Sequence, residues 1–435
     1  MKKILFVGSR ILNMPHAAGI TVRSIFDGID PEYVLGLEWG EKNEKGKMSS
    51  IKTYRLEYKF MSLARIIDNP FFKSTSHKIK KLEIPNNSAS SKTEKKKTSQ
   101  TLLQNLRQWI ALAPSRSRVM IRKRELNKIK EFSPQVIYTV GETITNLDLS
   151  YRLSILLNIP IVIHFMDNWK HSIEWSDNPL LKKYQKKLTQ YCNMCYSRSS
   201  ECIAIGERMA ETYENETGIK HGVIMNSIDT QAFFCPPQND KDVIRFTYAG
   251  GLHLGRDIAL YTIGECIESL NMKADKELRF DIYTTNDNIY LYKEKFANLK
   301  QTHLIPAVSH DYITQIYQNS DVLVHVESDD LKSNEFFKYS VSTKISEYLA
   351  TGKTILFYGP KDIYLYTFLS KNHLAYTVSN TDEIKSTILS IIYKKDNIYS
   401  SNAVQYAENH FDKKVAYNRF VDIIEHASLP EHNRV

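Results

Sequence analysis

The sequence predicts the α/β class, with two successive α/β units in one chain. Its 435 residues are more than one hydrophobic core usually holds, so we expect two or three domains. The stretch Ile4–Val7 has the pattern of a buried strand that leads through a glycine-containing loop into a helix. A second stretch, 244–249, has the same pattern before Gly250 and Gly251. Between the two units, 233–242 contains two consecutive prolines and is typical of a linker.

The domain boundaries follow from these units. We expect an N-terminal domain over 1–235 and a C-terminal domain over 236–410. A terminal helix over 411–435 is expected to pack back on the N-terminal domain. Residues 86–101, NNSASSKTEKKKTSQT, are polar and almost free of apolar side chains, which predicts a disordered insertion in the first domain.

Composition narrows the class of function. The net charge of +9 favours anionic ligands such as nucleotides, phospholipid head groups or nucleic acid. No nucleic-acid recognition motif accompanies this charge, so we expect no nucleic-acid partner. No apolar run approaches the roughly 20 residues that span a bilayer, and the apolar run within 1–8 is too short for a signal peptide. We therefore expect a cytoplasmic protein.

A basic stretch interrupts the N-terminal unit. Arg116 and Arg118 precede 119–130, VMIRKRELNKIK, which has the pattern of a helix rich in lysine and arginine. The favoured interpretation is a solvated helix face. The alternative is that 116–130 docks on an anionic membrane surface, which would place the protein at the inner face of the plasma membrane.

Polar residues near the ends of predicted strands mark a candidate site in the N-terminal unit. Strands over 134–139 and 160–165 have the composition of buried, parallel strands. Ligands of open α/β sheets bind at the carboxyl ends of the strands, so Asp167 is a candidate catalytic or acceptor-orienting carboxylate. His164 is a candidate strand-end ligand, although a structural imidazole is the favoured interpretation. The loop that ends at Gly19 would bring backbone N–H groups toward a ligand.

The start of the C-terminal unit contains a second candidate site. Gly250 and Gly251 are expected to form a tight turn after a strand, and Arg256 stands at or just before the next helix. A glycine turn, a helix N-terminus and a guanidinium together suit a pyrophosphate. A plain tight turn is the alternative.

The stretch 335–360 adds two charged candidates. Ser342 is suited to cap a helix that Gly352 ends, and a buried strand follows. Lys344 and Glu347 are three residues apart, so both can lie on one face near the helix start. A cation at a helix N-terminus suits a phosphate, and a carboxylate one turn later suits sugar hydroxyls. The alternative is a solvated ion pair.

Four stretches in order along nearly the whole chain resemble segments of one enzyme family, the family-4 (group 1) glycosyltransferases of GT-B fold, which use nucleotide-diphosphate sugars. They are IVIHFMDNW at 161–169, VIMNSIDTQAF at 223–233, FTYAGGLHLGR at 246–256 and STKISEYLATGKTIL at 342–356. The resemblance implies two Rossmann-like domains that face a cleft, with the acceptor side in the N-terminal domain and the donor site in the C-terminal one.

The resemblance also implies roles for the candidate residues. Arg256 and Lys344 would neutralise the donor diphosphate and stabilise the leaving group, while Glu347 would hydrogen-bond the ribose. Gly251 would let backbone N–H groups approach the donor. Asp167 would face the acceptor or the reacting sugar, with His164 and the Gly19 loop on the same side. Two cationic side chains can replace a metal in diphosphate departure, so we expect no metal and no cofactor.

The sequence departs from the family pattern at three positions. Tyr339 stands where the first of two glutamates is common, and Thr354 stands where proline is common. Met166 or Asp167 stands where many members have a histidine. The ribose role of Glu347 depends on none of these positions.

The predicted function is transfer of a sugar from a nucleotide-diphosphate sugar to a glycan or lipid-linked acceptor. The expected setting is bacterial surface polysaccharide biosynthesis, with retention of configuration. The alternatives are a nucleotide-sugar epimerase, a sugar phosphorylase, and a catalytically silent scaffold that binds nucleotide sugars.

Overall fold

The chain divides into two compact units in the computed structural model. One unit comprises Met1–Ile224 with Tyr417–Val435, and the other comprises Met225–Ala416. Each contains one open α/β sheet, so the predicted fold class is confirmed. The structure describes residues 1–14, 17–40, 50–58, 105, 108–169, 178–235, 242–272, 275–328, 338–339, 341–393 and 398–429. The predicted insertion at 86–101 lies outside these residues.

The N-terminal unit contains an eight-stranded sheet. Its strands are β1 (Ile4–Val7), β2 (Val34–Trp39), β3 (Lys52–Tyr58), β4 (Val119–Met120), β5 (Val136–Val140), β6 (Ile161–Phe165), β7 (Glu201–Ala204) and β8 (Lys220–Val223). They lie in the order β4-β3-β2-β1-β5-β6-β7-β8, and of these pairs only β3 and β4 run antiparallel. The strand order reverses at β1, so the carboxyl ends of β1 and β5 flank the switch point where open sheets bind ligands.

Helices accompany the strands of this sheet. They span Ala17–Phe26, Lys123–Phe132, Ile144–Leu157, Pro179–Tyr196 and Glu207–Thr217, with 3-10 turns at Ser9–Asn13, Pro31–Tyr33 and Pro114–Arg116. The strands β1, β5 and β6 are buried along their whole length, as expected for parallel strands that are covered on both faces.

The helix Lys413–Ala427 also packs on this sheet. The Phe420 ring lies 5.2 Å from that of Phe26 and 5.5 Å from that of Tyr138. Gly222 lies against Ile423, at a distance that leaves no room for a Cβ atom. The aromatic cluster therefore joins the last described helix to the helix Ala17–Phe26 and to β5.

The C-terminal unit contains a six-stranded sheet. Its strands are β9 (Val243–Ala249), β10 (Glu277–Thr284), β11 (Thr302–Pro306), β12 (Val322–Val326), β13 (Thr354–Tyr358) and β14 (Tyr376–Val378). They lie in the order β11-β10-β9-β12-β13-β14 with parallel pairing. Here the order reverses between β9 and β12, which places the switch point at the carboxyl ends of these two strands.

Helices of the C-terminal unit surround this sheet. They span Thr230–Phe233, Arg256–Asn271, Asn286–Phe296, His310–Gln318, Thr343–Thr351, Tyr364–Lys371, Thr381–Tyr393 and Ile398–His410. The core combines the apolar faces of the central strands with Leu260, Ile263 and Ile267 of the helix that follows β9. That helix is thereby fixed against the sheet, and its first residue is fixed beside the switch point.

Two local predictions require correction. Gly19 lies inside the helix Ala17–Phe26 and does not end a loop, because the helix begins two residues earlier. The stretch 119–130 is not one helix: β4 comes first, and the helix Lys123–Phe132 begins after Arg122, whose backbone N–H donates to Glu125 at 2.8 Å. Within the described residues, no helix is long and apolar enough to cross a membrane.

Candidate active site

The turn after β9 forms the floor of the candidate site in the C-terminal unit. The Tyr248 hydroxyl donates to the Gly251 carbonyl at 2.8 Å and closes the turn. A Cβ atom on Gly250 would overlap the Nζ atom of Lys344, and one on Gly251 would lie 2.5 Å from the His253 ring. Glycine at both positions therefore lets a cation and an imidazole approach the backbone of the turn.

Arg256 opens the helix Arg256–Asn271. Gly255 caps this helix with φ +76°, and a Cβ atom at Gly255 would overlap the Ser328 hydroxyl. The Arg256 guanidinium contacts one carboxylate oxygen of Glu327, at 2.8 Å from Nη2 and 3.2 Å from Nε. Glu327 directly follows β12, so this ion pair joins the two strand ends that flank the switch point.

His325 completes this charged network. Its Nε2 atom lies 3.2 Å from the other oxygen of Glu327. The imidazole donates in this contact in the tautomer that carries its hydrogen on Nε2. The ring is buried and stacks on Phe357 at 5.9 Å. Burial lowers the pKa of His325, although Glu327 partly opposes this shift.

The ion pair sets the charges of its two members. Burial alone would raise the pKa of Glu327, but the hydrogen bonds and charges of His325 and Arg256 hold it below its usual value. Burial would lower the pKa of Arg256, and the Glu327 carboxylate outweighs it and raises that pKa. Both side chains are therefore charged at neutral pH.

Lys344 supplies a second cation at the turn. It lies in the first turn of the helix Thr343–Thr351, and its Nζ atom is 5.1 Å from the centre of the Tyr248 ring. Burial, with a further contribution from Arg256, lowers the pKa of Lys344 to about 8. An anion bound at the turn would favour the charged form, because it adds negative charge to that of Glu327 and Glu347 near the ammonium.

Glu347 lies one turn further along the same helix. Its carboxylate is buried and accepts a hydrogen bond from the Tyr317 hydroxyl at 2.9 Å. Burial, and then the neighbouring Tyr348 and Glu347, raise the pKa of Tyr317 well above its usual value, so the hydroxyl stays a donor. The structure thus brings Gly251, Arg256 and Lys344 together at the turn. Glu347 lies one turn after Lys344 on the same helix, and the ribose role of Glu347 stays a prediction.

The predicted acceptor-side residues occupy different environments in the N-terminal unit. His164 is fully buried in β6, its Nδ1 atom lies 2.8 Å from the Tyr138 hydroxyl, and burial lowers its pKa to about 3. Its surroundings are those of a structural core imidazole. Gly19 is also buried, and a Cβ atom there would overlap the Met14 carbonyl oxygen, so close backbone packing explains the glycine.

Asp167 follows β6 and remains partly exposed. A second carboxylate, Glu142, follows β5 and lies near enough for Asp167 to influence it. Burial, and then the charge of Asp167, raise the pKa of Glu142 to about 7. Glu142 also lines a cavity of about 170 Å³, together with Arg10, Trp39 and Asn146. The catalytic role of Asp167 stays a prediction, and Glu142 joins it as a candidate.

Sequence reasoning missed Glu327, His325 and Glu142. Each lies at or just after the carboxyl end of a buried strand, which is the signal that identified Asp167. Among the described residues, no cluster of three or more histidine, cysteine, aspartate or glutamate side chains is arranged to hold a metal ion. Independence from metals stays a prediction.

Comparison with known proteins identifies the fold. No protein-family profile matches the chain, and no curated protein matches its sequence. Anabaena HepE in complex with UDP is 13% identical and superposes with a TM-score of 0.62 over 98% of this chain and all of that one. Sucrose-phosphate synthase from Thermosynechococcus elongatus is 9% identical, with a TM-score of 0.61 and 98% of both chains covered. A protein described as a UDP-N-acetylglucosamine 2-epimerase from Listeria monocytogenes is 10% identical, with a TM-score of 0.51 over 98% of this chain and 95% of that one.

At such low identity, the shared feature is the fold. Both sheets and nearly the whole chain take part in the first two superpositions. The chain therefore has the two-domain α/β fold of the GT-B glycosyltransferases.

Proposed function

We propose that this protein is a glycosyltransferase that moves a sugar from a nucleotide-diphosphate sugar to a glycan or lipid-linked acceptor. The observation that carries the proposal is the pair of cations, Arg256 and Lys344, at the glycine turn beside a helix N-terminus. Backbone N–H groups and two positive side chains at one strand end are the features that bind a diphosphate. Their position at the switch point of the C-terminal sheet supports a ligand site.

The chemistry follows from where charge develops. As the bond between the sugar C1 and the β-phosphate oxygen breaks, the bonding electrons leave with the nucleoside diphosphate. Arg256 and Lys344 would stabilise this added charge, so a metal ion is not required. The acceptor hydroxyl forms the new bond to C1 on the face that the diphosphate leaves, as retention requires, and passes its proton to Asp167 or to the departing phosphate oxygen. Asp167 is the proposed group that orients or deprotonates this hydroxyl, and the proposed outcome is retention of configuration.

Experiment can determine directly which nucleotide base the sugar donor carries. Anabaena HepE has been solved with UDP and with UDP-glucose, the latter complex superposing with a TM-score of 0.58 at 13% identity. This supports testing uridine nucleotides first. Glu347, buried and oriented by Tyr317, is the proposed ribose ligand.

An epimerase is the second candidate, since one superposed structure is described as an epimerase. Such an enzyme would convert a nucleotide sugar with no acceptor present. A phosphorylase would require inorganic phosphate, and a silent scaffold would bind nucleotide sugar without turnover. Product analysis with and without acceptor, and with and without inorganic phosphate, separates the four functions.

The proposed setting is bacterial surface polysaccharide synthesis at the inner face of the plasma membrane. Lys123, Arg124 and Lys130 are exposed on the helix Lys123–Phe132 and could contact anionic lipid. Vesicles with and without phosphatidylserine at low salt test this. Binding that depends on anionic lipid and falls in Lys123→Glu/Arg124→Glu is expected, and equal recovery with both vesicles would contradict it.

The donor site is tested by thermal unfolding with a panel of nucleoside diphosphates and nucleotide sugars, first in EDTA and then with Mg²⁺. A ligand at a hundredfold excess over its Kd adds about 2.7 kcal/mol to the free energy of unfolding. We expect a shift in EDTA that Arg256→Ala and Lys344→Met abolish. Lys293→Met, an exposed lysine in the same unit, is the matched control and should retain the shift. Absence of any shift in the wild type would refute the donor site.

A further inference from the structure

The buried carboxylate of Glu327 is a negative charge inside a site proposed to bind anions. Resting on the proposed donor site, we propose that Glu327 is a specificity-determining residue that disfavours the free nucleoside diphosphate relative to the sugar nucleotide. The two ligands differ in charge. A sugar nucleotide carries two charges on its diphosphate, whereas a free nucleoside diphosphate gains a third once its terminal phosphate loses a proton, at a pKa of about 6.

The position of the carboxylate is fixed from three directions. One oxygen accepts from Arg256 at 2.8 Å, and the other lies 3.2 Å from the His325 imidazole. The Glu327 backbone N–H donates to the Tyr358 carbonyl at 3.0 Å, which holds the segment beside β13. With its side chain only 7% exposed, Glu327 cannot turn away into water when an anion binds.

The carboxylate also keeps its charge. The charged and titratable groups that interact electrostatically with it are Arg256, Lys344, His325, His253 and Tyr248. Arg256 is charged throughout this range, Lys344 with its pKa of about 8 is mostly charged at pH 7, and burial disfavours the charged form of His325. Glu327 is therefore ionised over the range in which the terminal phosphate of a nucleoside diphosphate titrates.

A fixed charge acts in proportion to the charge of the ligand. A phosphate held by Arg256 would contact the same guanidinium that Glu327 contacts. The distance between the phosphate and the carboxylate would then be at most about the width of one guanidinium group plus the lengths of two hydrogen bonds. At such separations, and with the effective dielectric constant of a site near the protein surface, repulsion by Glu327 lowers the affinity about tenfold for each negative charge on the ligand. The third charge of the nucleoside diphosphate is the charge that distinguishes the two ligands. Because that ligand is the product of sugar transfer, Glu327 would speed its release.

The experiment compares Kd values for UDP and UDP-glucose, measured by calorimetry in EDTA, in the wild type and Glu327→Gln. At pH 7.0 we expect the substitution to strengthen UDP binding about tenfold more than UDP-glucose binding. At pH 5.5 this difference should shrink to about threefold, because roughly three-quarters of the free UDP then carries only two charges. An equal change for both ligands at pH 7.0, or a difference at pH 5.5 as large as that at pH 7.0, would overturn the inference.

Two further variants keep the result interpretable. His325→Asn removes the imidazole and keeps the carboxylate, so it should alter both affinities by the same factor. Glu327→Met has a similar volume without charge and serves where Glu327→Gln does not fold; its expected selectivity is the same. The ADP and GDP pairs replace the uridine pair if that pair does not bind. If no pair binds the wild type, the proposed function fails and takes this inference with it, whereas intact wild-type binding with unchanged selectivity in the variants overturns this inference alone.

Discussion

Raising the pH through 8 is expected to weaken binding of a sugar nucleotide, because Lys344 loses its charge in this range. Burial and the neighbouring Arg256 lower the pKa of Lys344 to about 8 in the unliganded protein. A bound diphosphate interacts with the ammonium form and raises that pKa. The ligand therefore selects the protonated protein, so affinity is nearly constant below pH 7 and falls as the pH rises through 8.

The size of the effect follows from the protonated fraction. With a pKa of about 8, roughly 97% of Lys344 is protonated at pH 6.5 and about 24% at pH 8.5. The affinity should therefore fall about fourfold over this interval. A sugar nucleotide is the proper ligand, since its diphosphate has no proton that titrates there.

Calorimetric titration of UDP-glucose at several pH values provides the measurement. Lys344→Arg is the control, because a guanidinium stays charged throughout and its profile should be flat. Lys293→Met should retain the wild-type slope. A flat wild-type profile, or the same fall in Lys344→Arg, would refute the reasoning that places this ammonium on the diphosphate.

Three further predictions concern single residues. Gly250→Ala places a Cβ atom against the Lys344 ammonium and the Tyr248 hydroxyl, so nucleotide affinity should fall at least about tenfold by calorimetry, and an unchanged Kd would argue against this turn as the site. Tyr317→Phe removes the hydroxyl that donates to the buried Glu347 carboxylate, and urea unfolding should show a loss of about 1–3 kcal/mol, which covers the range for a hydrogen bond to a charged group; a loss near zero would show that this hydrogen bond does not hold Glu347. Glu142 has its pKa raised to about 7 in the folded protein, so its contribution to stability is full below pH 4.5 and is lost as the pH rises through 7. Glu142→Gln should reduce the difference in unfolding free energy between pH 5 and pH 8 by roughly 2 kcal/mol, allowing for partial exposure, and an unreduced difference would show that other groups cause it.

Local sequence patterns were sufficient to single out Arg256 and Lys344, the two cations at the glycine turn after β9. Arg256 and Lys344 each stand in the first turn of a helix, and a glycine turn or a serine at the N-cap position marks that place in the chain, although the Ser342 side chain makes no cap hydrogen bond. Such signals depend on neighbours within a few residues. The same holds for the strands β1, β5, β6 and β12, whose apolar runs reflect burial on both faces.

The place of Glu327 in the site could not be predicted from local sequence patterns. It lies 71 residues from Arg256 in sequence, and the two meet only because β9 and β12 are adjacent in the sheet. The order of parallel strands is a property of the whole fold, so no window of sequence reveals it. His325 shares this difficulty because its role is to contact Glu327.

His164 and Gly19 illustrate a second limit. A histidine in a strand predicts neither the full burial nor the Tyr138 hydroxyl that the structure places beside it. Gly19 was expected to serve backbone approach to a ligand, whereas in the helix it serves close packing on the Met14 carbonyl. Residue type suggests a chemical capacity, and tertiary packing decides whether that capacity is used.

Sugar transfer itself is the claim that one measurement tests most directly. The wild-type protein is incubated with the nucleotide sugar that stabilises it and with lipid-linked glycan acceptors, and the products are analysed by mass spectrometry. We predict acceptor-dependent release of nucleoside diphosphate with a gain of one sugar mass on the acceptor, strongly reduced in Lys344→Met. Recovery of the nucleotide sugar unchanged, or its conversion to an isomer of equal mass without acceptor, would contradict the account.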